Sequence, residues 1–271
     1  MNDTAIVTLA IGEQHFSFWR HNCQPTWEAY AHRHGCDVII IQEPLDRSEL
    51  AASRSPAWQK CLVLGQEFAA RYRQIVLLDS DIVINAEAAP RITDHVREAK
   101  IGGVISGSHL PEDLRIVMLS RLRGHEYEYE PGLRHWRESQ AEYYKLYGLE
   151  PIAAGIVQTG VLVASPRHHR ELFGKVYATP AHADIHRTYE QIPLSHAILS
   201  SGLFQQIDSR FNSLFYETMV LHYPFLASNE LPIRDHLATC LVQAEFQNNF
   251  FLHFAYDREF VRFLHPRTRK E

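Results

Sequence analysis

Short apolar runs alternate along the chain with stretches whose apolar positions recur every three or four residues. This is the rhythm of buried strands separated by helices. Ile6 to Ile11 is a continuous apolar run closed by Gly12, which suits a buried parallel strand leading into a ligand-side loop. A helix through Trp27-Glu28-Ala29-Tyr30-Ala31 stops near Gly35, and Val38 to Ile41 follows as a strand, making a β-α-β unit. Ser55-Pro56 opens the next helix with a capping residue and Pro at its first position. Its apolar positions Trp58, Cys61, Leu62, Gly65, Phe68, Ala69 and Tyr72 keep to one helical face. Ile75 to Leu78 is the next strand.

Farther on, Ile101 to Ser106 and Val157 to Ala164 read as strands, Arg167 to Tyr177 as a helix, and Phe250 to Phe254 as a late strand. Thr188 to Ser201 reads as a helix that tolerates Pro193 in its first turn. Between them, Glu112 to Gly148 is polar, aromatic-rich and mostly helical, with a break at Pro131-Gly132. Neither a repeat nor a composition shift divides the chain. The pattern predicts one α/β, Rossmann-like domain over 1–271: a mostly parallel central sheet flanked by helices, with a helical insertion at about 110–150.

Composition narrows the function. Hydrophobic residues at 45% and charged residues at 22% are ordinary for a globular protein. A net charge of -5 argues against a nucleic-acid partner, and the basic cluster from Arg267 to Lys270 reads as a solvated tail. The four cysteines, Cys23, Cys36, Cys61 and Cys240, form no CxxC pair and fit reduced, packed thiols in a cytoplasmic setting. Met1-Asn2-Asp3-Thr4 has no basic leader pattern, and no apolar segment approaches membrane-spanning length. The expectation is a cytoplasmic protein without a transmembrane segment, whose only form of membrane contact would be peripheral.

The densest chemistry is the strand end Ile75-Val76-Leu77-Leu78-Asp79-Ser80-Asp81. Residues i and i+2 of a strand point to one side, so both carboxylates can face one cation. A hard ion, Mg²⁺ or Mn²⁺, completed by substrate phosphate oxygens, is the chemistry such a pair serves. The C-terminal edge of an open α/β sheet is also where ligands bind. A turn and helix cap would use the same residues. Of the other clusters, His182 and His186 lack the second half of a zinc motif and read as surface residues, and His168-His169 as an exposed helix start. Tyr127, Tyr129, Trp136, Tyr143, Tyr144 and Tyr147 either pack the insertion down or offer flat stacking faces to a carbohydrate ring.

Several segments share an order and spacing: Ala57-Trp58-Gln59-Lys60, Leu77-Leu78-Asp79-Ser80-Asp81-Ile82-Val83, Gln158-Thr159-Gly160-Val161-Leu162, Glu190-Gln191-Ile192-Pro193-Leu194, Arg210-Phe211-Asn212 and Leu252-His253-Phe254. In these the chain resembles the GT-A nucleotide-sugar glycosyltransferases, closest to the glycogenin-like and galactosyltransferase-type retaining branch. The resemblance covers nearly the whole chain. It implies a GT-A fold, a nucleotide-sugar donor with UDP as the base by analogy, and a sugar, glycan, lipid-linked or small-molecule acceptor.

The same resemblance assigns residues. Asp79, Asp81 and His253 would hold Mn²⁺ or Mg²⁺, although His253 also fits a core histidine with one hydrogen bond. Ala10, Ile11 and Gly12 would meet the nucleoside, with Gly12 also at home in a turn. Lys60 would reach the diphosphate, or else be a solvated helix lysine. Asp79 and Ser80 complete that side of the donor site. Gln158, Thr159 and Gly160 stand where the family has Asn-Ser/Thr-Gly, the small residue letting the strand pass beneath the donor sugar. Arg258 replaces the Gly and Lys that the family often carries after the histidine.

Glu190 and Gln191 correspond to the family's Asp-Gln pair, the acid on sugar hydroxyls and the amide near the anomeric carbon, and they also suit a helix N-terminus. An amide is a poor nucleophile, so retention would run through front-face attack and an ion-pair-like transition state. Two other readings compete. A haloacid-dehalogenase-type phosphatase also uses Asp-x-Asp after a strand, but near the start of its domain and with a late acidic pair. A non-catalytic nucleotide-sugar-binding module would keep the fold without the turnover. A pyrophosphorylase would need a Gly-rich N-terminal signature that is missing.

Overall fold

The computed structural model describes residues 2–111, 113–114, 117, 140–179, 188–227 and 233–264. Most of the insertion, including Tyr127, Tyr129, Pro131-Gly132 and Trp136, lies outside the described residues, as do His182 and His186. Nine strands are described: β1 (Thr4–Leu9), β2 (Asp37–Ile41), β3 (Gln74–Leu78), β4 (Ile82–Ile84), β5 (Ile101–Ile105), β6 (Val157–Ala164), β7 (Phe204–Gln206), β8 (Ser213–Leu214) and β9 (Phe251–His253).

Six of them form one sheet in the order β2-β1-β3-β6-β5-β7, and the other three form a small sheet, β4-β9-β8. β1 pairs in parallel with β2 and β3, and β5 with β7, while β6 runs antiparallel to both β3 and β5. The sheet is therefore mostly parallel, with one reversed strand at its centre. β3 and β6 are buried along their whole length, which is why Ile75 to Leu78 and Val161 to Ala164 read as unbroken apolar runs. Alternate residues feed opposite cores: Val76, Leu78, Val161 and Val163 pack on one side, Ile75, Leu77, Leu162 and Ala164 on the other.

The reversal of β6 matters most for the site. It brings the start of β6 beside the residue that follows β3, and Asp79 N donates to Gly160 O at 2.9 Å. The small sheet does the rest. β9 pairs antiparallel with β4, setting His253 opposite Ile82, and Phe254 N donates to Asp81 O at 3.0 Å. Trp27 Nε1 donates to Ile82 O and anchors this corner to the helix Gln24–His34, which ends on Gly35 in the left-handed region.

Two local expectations are corrected. The first strand stops at Leu9, so Ile11 and Gly12 belong to the loop, with Gly12 at φ 87 before the helix Glu13–Asn22. That helix, polar and weakly patterned, has no clear sequence signal; nor does Arg234–Asn248. Between Ser55 and Tyr72 the chain forms two 3-10 runs, Pro56–Gly65 and Glu67–Arg71, with an extended Gln66 between them, where the spacing predicts one helix. The reason is burial: Trp58, Gln59, Lys60 and Cys61 are consecutive and all buried, which an amphipathic α-helix on a surface cannot provide. Gln59 is fixed by accepting from Leu45 N and Asp46 N.

Cys23, Cys36, Cys61 and Cys240 are all free thiols, the first three buried. No helix among the described residues is long and apolar enough to cross a membrane.

Candidate active site

A cleft of about 550 Å³ opens at the ends of β1 and β3. Its walls bring together Ile11, Lys60, Asp79, Ser80, Asp81, Gln158, Thr159, Gly160, Glu190, Gln191, His253 and Arg258. Ala10 is completely buried, and neither it nor Gly12 lines the cleft; Gly12 serves the turn at positive φ.

Asp79, Asp81 and His253 each turn a ligand atom into one place, all within 4.8 Å of one another. His253 Nδ1 is 3.0 Å from Asn212 Oδ1, and Nε2 lies 3.1 Å from Asp81 Oδ1 and 3.8 Å from Asp79 Oδ2. With Nδ1 engaged by Asn212, Nε2 is the ring nitrogen turned to the Asp81 carboxylate. Nε2 and Asp81 Oδ1 are both buried and have no hydrogen-bond partner. Buried ligand atoms without a partner that converge with Asp79 on one place form a donor set that fits a divalent ion. Asn212 belongs to the Arg210-Phe211-Asn212 segment, which signals its importance in the sequence but not its task of orienting the histidine.

The electrostatics favour an ionised Asp81. Burial by itself would raise the Asp81 pKa, but His253 and Arg258 beside it hold the carboxyl well below its usual range. Arg258 Nε donates to Asp81 Oδ2 at 2.9 Å, and its Nη1 lies 3.0 Å from His15 Nδ1. His15 carried no sequence signal. Burial and the nearby arginine push its pKa down.

Lys60 is not a solvated lysine. Its Nζ donates to Asp79 Oδ1 at 2.6 Å and Thr159 O at 3.0 Å, and lies 3.1 Å from Glu190 Oε1. Burial alone would lower its pKa, and the two carboxylates more than reverse that. The ammonium has three hydrogens, and three protein oxygens surround it. Glu190, also accepting from Thr159 Oγ1 at 3.0 Å, has its pKa raised by burial despite Lys60. Gln191 opens the helix Gln191–Ser200 and faces the cleft. Just before it, Tyr189 lines the cleft at φ 45, a conformation that a tyrosine adopts only under constraint.

Gly160 is the contact point of the whole arrangement. A Cβ there would lie 2.8 Å from His253 Nδ1 and 3.2 Å from Asp79 Oδ2, and closer still to His253 Cε1. Its small size is thus required by the histidine and the first aspartate packed over it, beyond any clearance for a sugar. Tyr144 and Tyr147 are fully buried, donating or accepting at Ser195 and Thr188, so these two insertion rings pack and offer no open stacking face.

Glu217, which had no sequence signal beyond an acid in an apolar helix, is buried next to Gln158, and burial raises its pKa to about 7. Its folded pKa lies above the ordinary 4.5, so its contribution to stability is fully present below about pH 4.5 and is lost as pH rises through 7. Glu217→Gln is therefore expected to match the wild type in thermal unfolding at pH 4.5 and to exceed it at pH 8. The gap should reach about 3 °C or more, since 1 kcal/mol moves the midpoint of a domain this large by about 2–4 °C. Equal midpoints at pH 8 would refute the buried, ionising carboxylate.

No protein-family model and no curated protein sequence matches the chain. Solved structures do. A glycosyltransferase involved in the glycosylation of the major capsid of PBCV-1 aligns over 96% of this chain and 98% of its own, at 14% identity and a TM-score of 0.56. The fold is the GT-A fold of glycosyltransferases. Mouse xyloside xylosyltransferase 1 is also similar (TM-score 0.45, 11% identity, 95% of this chain and 99% of that one). So is the galactosyltransferase LgtC in complex with donor and acceptor sugar analogues (TM-score 0.45, 12% identity, 96% and 95%).

Proposed function

We propose that this chain is a metal-dependent glycosyltransferase that moves a sugar from a nucleotide-sugar donor, UDP-linked by family resemblance, to a hydroxyl-bearing acceptor with retention of configuration. It would act from a single domain over residues 1–271. The observation that supports this most is the meeting of Asp79, Asp81 and His253, with unpartnered ligand atoms, in the same cleft as Glu190 and Gln191. The phosphatase reading lacks its second acidic pair: among the described residues no other group of three metal-capable side chains gathers.

A bound Mn²⁺ or Mg²⁺ would neutralise charge on the departing diphosphate. The protein's own residues do the remaining work. Lys60 holds Asp79 and Glu190 at fixed positions, so its link to the donor runs through those carboxylates. Arg258, partly exposed at the rim and paired with Asp81, would offer its positive charge to the phosphates. Glu190 keeps lone pairs for sugar hydroxyls while bound to Lys60 and Thr159. The Gln191 side chain, which lines the cleft, would stabilise the sugar cation through its amide oxygen and guide the acceptor hydroxyl to the face the diphosphate leaves.

The first test is a thermal-shift panel of nucleoside diphosphates and UDP-sugars with and without Mn²⁺, in which specific ligands raise the melting point by mass action. Metal-dependent stabilisation by a UDP-sugar, followed by turnover, is expected. Phosphate release from simple phosphomonoesters without a nucleotide sugar would favour the phosphatase, and equal binding of UDP and UDP-sugar with no turnover even to water would favour the binding module.

Gln191→Ala should lower kcat by about 100-fold, the scale of a lost transition-state hydrogen-bonding group, with donor affinity little changed. NMR of the first-formed product should show an α-linkage from an α-configured donor. A β-linked product would remove Gln191 from this role and call for a general base elsewhere.

A further inference from the structure

Behind the cleft floor lies a buried pair that the proposed chemistry does not use. Gln158 Nε2 donates to Glu217 Oε1 at 3.1 Å, and Ser106 Oγ donates to the same oxygen at 3.0 Å. Gln158 is 5% exposed and Glu217 8% exposed. A glutamine side chain has a donating and an accepting end, and its surroundings decide which one faces a ligand. Ser106 Oγ donates to Glu217 Oε1, which marks that oxygen as an acceptor, so the end of Gln158 set against it is the donating NH₂, and a proton on the carboxyl belongs on the other oxygen. The amide nitrogen of Gln158 is therefore held at Glu217.

That leaves Gln158 Oε1 as the free end. It is buried, has no hydrogen-bond partner, and belongs to a residue that lines the cleft. A buried acceptor without a partner is unfavourable until a ligand supplies a donor. We propose that Glu217 is a positioning residue that commits Gln158 to accept a hydrogen bond from a hydroxyl of the donor sugar. The proposal rests on the glycosyltransferase reading. Its consequence is selectivity: a donor with no hydroxyl at that place leaves Oε1 unpaired and is discriminated against.

The test uses calorimetry with Mn²⁺, comparing UDP with the UDP-sugar that gives the largest shift in the thermal panel. Gln158→Leu and Glu217→Leu should each weaken the UDP-sugar by about three- to tenfold, the net worth of about one hydrogen bond. Both should leave UDP within about twofold. Because Glu217 acts through Gln158, the double variant should lose no more than Gln158→Leu alone. Additive losses, or an unchanged Glu217→Leu, would overturn the positioning role while leaving the glycosyltransferase reading intact. A panel in which no UDP-sugar binds would instead overturn both.

Should Glu217→Leu fail to fold, the wild type decides. The Gln158 side-chain NH₂ signals, assigned by their loss in Gln158→Leu, should be protected from exchange in the ligand-free protein. Unprotected signals would sink the proposal.

Discussion

Asp81→Asn is expected to abolish Mn²⁺-dependent binding of UDP and of the donor while leaving the fold in place. The substitution keeps the shape and removes the charge. Asp81 Oδ1 is the buried oxygen that faces His253 Nε2, and Oδ2 accepts from Arg258. A neutral amide is a poor ligand for a hard divalent ion, and it also leaves Arg258 facing an uncharged partner. Affinity for UDP in the presence of Mn²⁺ should fall by about 100-fold or more, since even supporting groups around metal ligands are worth about 10–100-fold. Calorimetry with and without Mn²⁺ would measure this, with far-UV circular dichroism to verify folding. A variant that kept the wild-type metal dependence would take Asp81 out of the ligand set.

A single methyl at position 160 should be nearly as damaging. Gly160→Ala places a Cβ 2.8 Å from His253 Nδ1 and 3.2 Å from Asp79 Oδ2. The histidine cannot easily yield, because it is buried and held by Asn212. β6 cannot retreat either, being buried and paired on both edges with β3 and β5. Overpacking of this kind costs about 1–3 kcal/mol of stability. The functional loss should be larger: about 100-fold in turnover, with metal-dependent UDP binding falling in parallel, because His253, a proposed metal ligand, is pushed off its position.

Gly174→Ala is the control. It sits within the helix Pro166–Ala178 with no neighbour within 4 Å of the added Cβ, so the same change should stabilise by roughly 0.5–1 kcal/mol. Full activity in Gly160→Ala would show that His253 is not needed where the structure puts it.

The sequence by itself determined five of the six strands of the central sheet, missing Phe204–Gln206, because residues buried on both sheet faces are mostly apolar; Ile75 to Leu78 and Val161 to Ala164 are unbroken runs of that kind. It also determined the Asp79–Asp81 pair as a candidate, since two carboxylates directly after an apolar strand are a local signal, although the structure places them in the turn between β3 and β4 and not on a strand. The helices were less legible where burial was shared among consecutive residues, as in Trp58-Gln59-Lys60-Cys61, or where the pattern was weak, as in Glu13–Asn22.

Only the tertiary structure decided what those residues touch. His253 reaches the aspartates because β9 pairs with β4, a contact between positions about 170 residues apart that no local pattern encodes. Lys60 became a buried link between Asp79 and Glu190 because three segments distant in sequence converge on one ammonium group. The buried acid at 217 and the amide at 158 met for the same reason. Spacing along the chain settles which side chains share a face; which faces meet is settled by sheet order and reversal, through the burial of apolar area over the entire fold.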